Sequence, residues 1–156
     1  MEKKRFREAI GAIDAALEAN AVSPYFGYFN KAVCYEESGE PDEALVWYRK
    51  ALEQRSGDAD ALTGAGKCLY RMGVYEQSES CFLGALDADP RSHTACNDLG
   101  VLCFIQGRFE DAREWFLKAV AIDPGNADAL FNLADTCEEL GYPEEARKYR
   151  LRSRGL

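Results

Sequence analysis

No Cys-x-x-Cys pair occurs among the six cysteines, Cys34, Cys68, Cys81, Cys96, Cys103 and Cys137, and histidine occurs once, at His93. A zinc site needs several such donors at short spacing, so no metal and no cofactor is expected. Basic residues are in deficit: the net charge is -8, whereas a nucleic-acid binder needs a surplus of Lys and Arg over its contact surface. Long apolar runs are missing too. Nothing approaches the roughly 20 residues of a membrane span, and Met1-Glu2-Lys3-Lys4-Arg5 meets charge too early for a signal peptide. A cytoplasmic protein with reduced thiols and no membrane insertion is expected. Each cysteine falls among apolar neighbours at helical spacing, which favours packing, with disulfide or redox roles as the alternative.

Catalytic patterns are equally scarce. Gly64-Ala65-Gly66-Lys67 has Ala61 where a phosphate loop needs glycine, and close helix packing accounts better for its glycines. Glu36-Glu37 and Glu138-Glu139 are adjacent on helices, about 100° apart, and read as solvated faces. His93 follows Ser92, a candidate helix cap, and reads as an exposed turn histidine with no nucleophile spaced beside it. Trp47 and Trp115 read as packing residues. The chain is expected not to be an enzyme.

What the sequence does have is a period. Gly39, Gly73, Gly107 and Gly141 recur every 34 residues, each closing an amphipathic helical pattern where a C-cap favours glycine. Five residues later come Ala44, Ser78, Ala112 and Ala146, and twelve later Ala51, Ala85, Ala119 and Ser153. Between these small residues lie Tyr48, Phe82 and Phe116, large groups that fill the space beside them, and in the fourth copy Arg150. A second helical pattern precedes each glycine, with Tyr28 and Tyr35, Leu62 and Leu69, Cys96 and Cys103, Leu130 and Cys137 one heptad apart. Each unit is therefore helix, turn, helix. The periodicity predicts helices near 3–19, 25–38, 42–54, 58–72, 75–88, 93–106, 109–121, 126–140 and 143–153. Pro41 and Pro143, each followed by two acidic residues, suit first turns, and Asp89-Pro90 and Asp123-Pro124 suit turns between units.

The block Leu62, Ala65-Gly66, Leu69, Ser78, Phe82, Pro90 and the block Cys96, Leu99-Gly100, Cys103, Ala112, Phe116, Pro124 resemble the tetratricopeptide repeat family, whose pattern runs W-x2-L-G-x2-Y, A-x3-F, P. Tryptophan is replaced by Tyr28, Leu62, Cys96 and Leu130, and Ser56 stands where the first block should end in proline. The resemblance implies an all-α, right-handed α-solenoid of helix-turn-helix repeats. It divides one domain, 1–156, into an orphan half-repeat at 3–22, full repeats at 25–58, 59–92 and 93–126, and a fourth at 127–156 with a polar C-terminal cap. The half-repeat follows from Phe6, Ala9, Ile13 and Ala16, which match Phe109, Ala112, Phe116 and Ala119 in spacing.

Charge is segregated along the chain: residues 1–7 carry +3 and residues 147–154 carry +5, leaving a strongly acidic middle. Arg147, Lys148, Arg150, Arg152 and Arg154 read as a solubilising cap or, alternatively, as a basic dock for an acidic partner. The N-terminal helix, with Ile10, Ile13 and Leu17, reads either as capped by Lys3, Lys4, Arg7 and Asp14 or as a homodimer contact.

In the family the first helices line a concave groove that holds a peptide, and the resemblance places Phe26, Phe29, Asn30 and Val33 there, then Thr63, Lys67, Tyr70 and Arg71. Asn97, Asp98, Val101 and Phe104 follow, then Phe131, Asn132 and Asp135; Glu37, Asp60, Thr94, Ile105, Asp128 and Glu138 border them. Phe29, Val33, Val101, Phe104, Ile105 and Phe131 are expected to form an exposed apolar stripe. The acidic groups favour a ligand with basic and hydrophobic residues. Chaperone-binding members hold a C-terminal aspartate with a clamp of Lys, Asn and Arg; the matching places here carry Phe29, Val33, Gly64, Thr94 and Asp98 and build none. Shifted by one repeat, they carry Thr63, Lys67, Asp98, Asp128 and Asn132, again without a clamp. The function expected is a protein-interaction adaptor or scaffold binding a peptide segment, with a self-assembling scaffold as the alternative.

Overall fold

The structure, a computed structural model, describes residues 2–156, with side chains from Arg5 onward. Lys3 and Lys4, expected to help cap the N-terminal helix, therefore lie outside the described side chains. Among the described residues there are nine α-helices: α1 Glu2–Glu18, α2 Pro24–Glu37, α3 Pro41–Gln54, α4 Ala59–Arg71, α5 Tyr75–Ala88, α6 His93–Ile105, α7 Phe109–Ile122, α8 Ala127–Glu139 and α9 Pro143–Ser153. Every one begins and ends within one residue of the span its periodicity predicts. The fold is an all-α solenoid of helix-turn-helix repeats.

The boundaries are set by local chemistry. Asp58, Ser92 and Asn126, each 34 residues after the last, occupy the N-cap of a first helix, and their side-chain oxygens accept from the backbone N–H of Ala61, Ala95 and Ala129. That satisfies donors a helix start otherwise leaves without partners. At the other end Gly39, Gly73, Gly107 and Gly141 have φ between +74° and +83°. There Val74, for example, donates its N–H back to Leu69 O, a reversal that needs the left-handed residue before it. Asp89 Oδ1 accepts from Arg91 N–H and Asp123 Oδ1 from Gly125 N–H, which tightens the two Asp-Pro turns.

The helices divide into two compact units, Met1–Ala88 with α1 to α5 and Asp89–Leu156 with α6 to α9. In the first, α1 packs on α2, α2 on α3, α3 on α4 and α4 on α5, with α2 also touching α4. Ala32, Ala44, Leu45, Tyr48, Ala61, Ala65, Cys68 and Leu69 form a buried cluster there. In the second, α6 packs on α7, α7 on α8 and α8 on α9, and α6 touches α8. Its core is Leu99, Leu102, Phe116, Leu130 and Leu133, all at most 1% exposed, with Cys96, Cys103 and Cys137 between them.

The large-against-small rule of the sequence takes a concrete form in these cores. Phe116 lies against Gly100 so closely that a Cβ there would fall 2.5 Å from the ring, and Phe82 lies likewise over Gly66. A fully buried Phe contributes roughly 1.5–3 kcal/mol, which such contact secures. Ser78, the one polar member of the small column among buried positions, donates its hydroxyl to Gly66 O at 2.8 Å and so leaves nothing unsatisfied.

All six thiols are unbridged. Burial pushes the Cys68 thiol up to about 12 and raises those of Cys34, Cys81, Cys96 and Cys137, so the neutral form that suits packing is favoured.

Candidate functional site

The first helices α2, α4, α6 and α8 carry the residues assigned to the groove, and the structure sorts them. In the first unit Phe26 is 51% exposed and Asn30 is exposed. Phe26 is not bare: the Arg55 guanidinium lies 5.1 Å above it and 4.0 Å above Tyr25. Burial and a hydrogen bond to Asp58 hold the Tyr25 phenol up at about 12. Phe29 departs from the exposed stripe. It stacks on Tyr25 at 5.9 Å and meets Tyr48 edge-on at 5.7 Å, so it is half-buried, as is Val33. Thr63, expected on the groove surface, is instead buried, and its hydroxyl donates to Ala59 O at 2.8 Å. Lys67 and Tyr70 are half-buried, Tyr70 lying beside Tyr75, and Arg71 is exposed with Nη1 donating to Glu36 O.

The second unit brings four of its assigned residues together. Val101 and Phe104 of α6 and Asn132 and Asp135 of α8 line a cavity of about 70 Å³ floored by Phe116 of α7. Asn132 Nδ2 donates to Asn97 Oδ1 at 3.1 Å, which fixes the Asn132 amide beside the cavity. Phe131 and Ile105 are exposed, at 47% and 44%, whereas Val101 and Phe104 are half-buried and Phe104 packs edge-on against Phe109 at 5.2 Å. Phe26 in the first unit and Ile105 and Phe131 in the second are thus exposed, whereas Phe29, Val33, Val101 and Phe104 are partly absorbed into packing. Asp98 is half-buried within the same face.

Three residues outside the assigned set shape these surfaces, Arg55 in the first unit and Arg150 and Phe116 in the second. Arg150 of α9 reaches over α8, with Nη2 2.7 Å from Asp135 Oδ1 and 2.8 Å from Glu138 Oε1, and its guanidinium 5.3 Å from the Phe131 ring. Two of the carboxylates expected to draw a basic ligand therefore share one arginine, which offsets half of their charge. Arg150 stood out in the sequence as the break in the aromatic column, but its partners, 15 and 12 residues earlier, lie on a different helix and carried no periodic signal.

Two further expectations are revised. Glu36 is not simply solvated: its Oε2 accepts the Tyr48 hydroxyl at 2.6 Å. His93 is half-buried, not exposed, and its Nδ1 lies 3.1 Å from Asn126 Nδ2, because both occupy starts of neighbouring first helices. Trp47 is half-buried with Lys31 and Lys50 at 3.6 and 4.0 Å above its ring, and Trp115 carries Lys118 at 3.9 Å. Among the described residues no cluster of three or more His, Cys, Asp and Glu is placed to hold a metal ion, and no helix is long and apolar enough to cross a membrane.

Three family models, each described as tetratricopeptide repeat, match residues 25–58, 63–127 and 115–148. The chain belongs to the tetratricopeptide repeat family. Solved structures of this fold agree: a crystal structure of MamA is 22% identical with a TM-score of 0.83, over 97% of this chain and 88% of that one. PilF of Pseudomonas aeruginosa is 24% identical with a TM-score of 0.87, over 97% of this chain and 69% of that one. The first tetratricopeptide domain of Spaghetti (RPAP3), bound to the HSP90 peptide SRMEEVD, is 20% identical with a TM-score of 0.72, over 75% of this chain and 93% of that one. At these identities the likeness is one of fold. Tetratricopeptide repeats form a protein-interaction fold, and the site residues are weighed on that footing.

Proposed function

We propose that this tetratricopeptide repeat protein is a non-catalytic adaptor that holds a peptide segment of another protein on its first helices. The observation that carries the reading is the small cavity of α6, α7 and α8, apolar at its floor and lined by Asn132, whose amide is paired with that of Asn97. Such a site suits an extended peptide, with one small aliphatic side chain in the cavity and backbone groups at Asn97 and Asn132. Phe131 and Ile105 supply further exposed apolar contact in the second unit; in the first, Phe26 supplies apolar contact and Asn30, Lys67, Tyr70 and Arg71 polar contact. Asp98, Val101, Phe104 and Asp135 complete the surface in the second, with Phe29 and Val33 behind that of the first.

The ligand differs from the acidic peptide held by Spaghetti. At the places of the chaperone clamp this chain has Phe29 packed on Tyr48, Val33, Thr94, Asp98 and Gly64, whose missing side chain makes room for the Tyr48 ring. With Asp135 and Glu138 satisfied by Arg150, apolar fit ranks above basic charge in ligand choice.

A peptide library displayed on phage and selected on the whole protein tests this. Selected peptides are expected to share a small aliphatic residue and to lose at least about tenfold in affinity on Val101→Arg, which fills the cavity, and severalfold on Phe131→Ala. Equal affinity for wild type and Val101→Arg contradicts the site. The dimer alternative is read by sedimentation: a strict monomer at high concentration removes it.

A further inference from the structure

A second interaction surface lies on α9. The repeat spacing pairs Leu45, Tyr48 and Leu52 of α3 with Arg147, Arg150 and Arg154 of α9, three repeats later. In the first unit that face of α3 is covered: α4 lies on it, burying Leu45 and Tyr48 against Ala61, Ala65 and Cys68, with Leu52 packed alongside. On α9 the three apolar positions are all arginine. α9 packs on α8 and is tied to α7 by the Glu145–Arg113 pair at 2.7 Å, and Arg147, Arg150, Leu151 and Arg154 with Glu138 and Pro143 line an open cleft of about 290 Å³. Leu151 is 43% exposed between the arginines. Arg150 is committed to Asp135 and Glu138, whereas Arg147 and Arg154 are exposed and flank the leucine at a separation along the helix of about 10 Å.

We propose that this face binds an acidic helix of another polypeptide, seated where a following first helix would lie, with small residues against Leu151 and carboxylates toward Arg147 and Arg154. The place of α4 on α3 supplies the shape, and the change from leucine to arginine supplies the sign of charge. A nucleic acid fits less well, since residues 8–146 carry a large negative surplus that repels a continuous phosphate backbone beyond this short patch. A second copy joined end to end fits less well too, because residues 1–7 are themselves +3. Arginine also presents planar donors matched to carboxylates, which a merely solubilising face does not require.

The test uses the full chain and a fluorescein-labelled alanine-rich helical peptide with glutamates along one edge, read by fluorescence anisotropy at low and physiological ionic strength. Binding is expected to weaken about tenfold in Arg147→Glu/Arg154→Glu and to a lesser degree in Arg147→Gln/Arg154→Gln. Circular dichroism melts of the same variants separate lost binding from lost fold, and the glutamine pair keeps the test open should the reversal unfold. Equal binding by wild type and the charge-reversed variant overturns the proposal, as does equal binding of a peptide with glutamine for glutamate. Tighter binding of an oligonucleotide or of phosphatidylserine vesicles overturns it, as does a wild-type oligomer that the double substitution dissociates.

Discussion

The α2–α3 and α8–α9 pairs share one backbone plan and put different chemistry at the same column. Both second helices open with proline and two acidic residues, and both turns pass through a left-handed glycine. In α3 the column holds Tyr48, 2% exposed, its ring against Gly64 of α4 and its hydroxyl on Glu36. In α9 it holds Arg150, which folds back on Asp135 and Glu138 of its own partner helix. The same position thus serves packing in α3, where α4 covers it, and charge pairing in α9. A helical repeat leaves its column residues to decide which faces are closed and which remain available for a partner.

The largest expected effect breaks this comparison directly. Tyr48→Ala removes a buried aromatic and is expected to cost about 3–5 kcal/mol in urea unfolding, whereas Arg150→Ala is expected to cost less than about 1 kcal/mol, because its pairs are partly exposed. Comparable losses at the two positions contradict the division into packing and charge roles. Tyr48→Phe sharpens it: phenylalanine occupies this column in the next two repeats, and losing the hydroxyl on Glu36 is expected to cost only about 1 kcal/mol.

A smaller effect concerns the half-repeat. Lys31 has a 6% exposed side chain, lies over Trp47 and pairs with Asp14 of α1 at 2.6 Å. Asp14→Ala leaves that ammonium without its carboxylate, at a cost of about 1–3 kcal/mol. Hydrogen exchange should show faster opening of α1 while α6 to α8 remain unchanged; uniform acceleration throughout tells against a local tie.

The mildest effect is set by pH. Cys68, ordinarily near 9, and Tyr25, ordinarily near 10, are both held at about 12 in the fold. Folding therefore favours their neutral forms, a contribution fully present below the unfolded values and lost as pH climbs from about 9 through 12. Urea midpoints measured between roughly pH 8 and pH 11 should fall with rising pH, and less steeply in Cys68→Ala. A slope unaffected by that substitution removes the thiol from the account.

Helix spans, the glycine turns and the large-against-small columns were all legible in the sequence because each is a local or periodic property. Phe116 between Ala112 and Ala119 is such a case: spacing alone sets the three on one helix face. The candidate surface was less legible. Thr63 and Phe29 lie in the same column as Asn97 and exposed Phe131, yet one is buried and the other stacked between Tyr25 and Tyr48. Which member of a column faces solvent depends on the size of its neighbours on another helix, a property that no period encodes. Arg150 shows the same limit for charge: its place in the column was visible, but its hold on Asp135 and Glu138 came only with the helices in contact.

The peptide-binding reading is tested most directly by titrating the isotope-labelled whole protein with a selected peptide and following backbone and asparagine side-chain amides by NMR. The reading predicts that the largest shifts cluster at Asn97, Val101, Phe104, Phe131 and Asn132, with little change on α7's outer face. Shifts confined to α9 or to the outer faces of the second helices, with Asn97 and Asn132 unmoved, would contradict it.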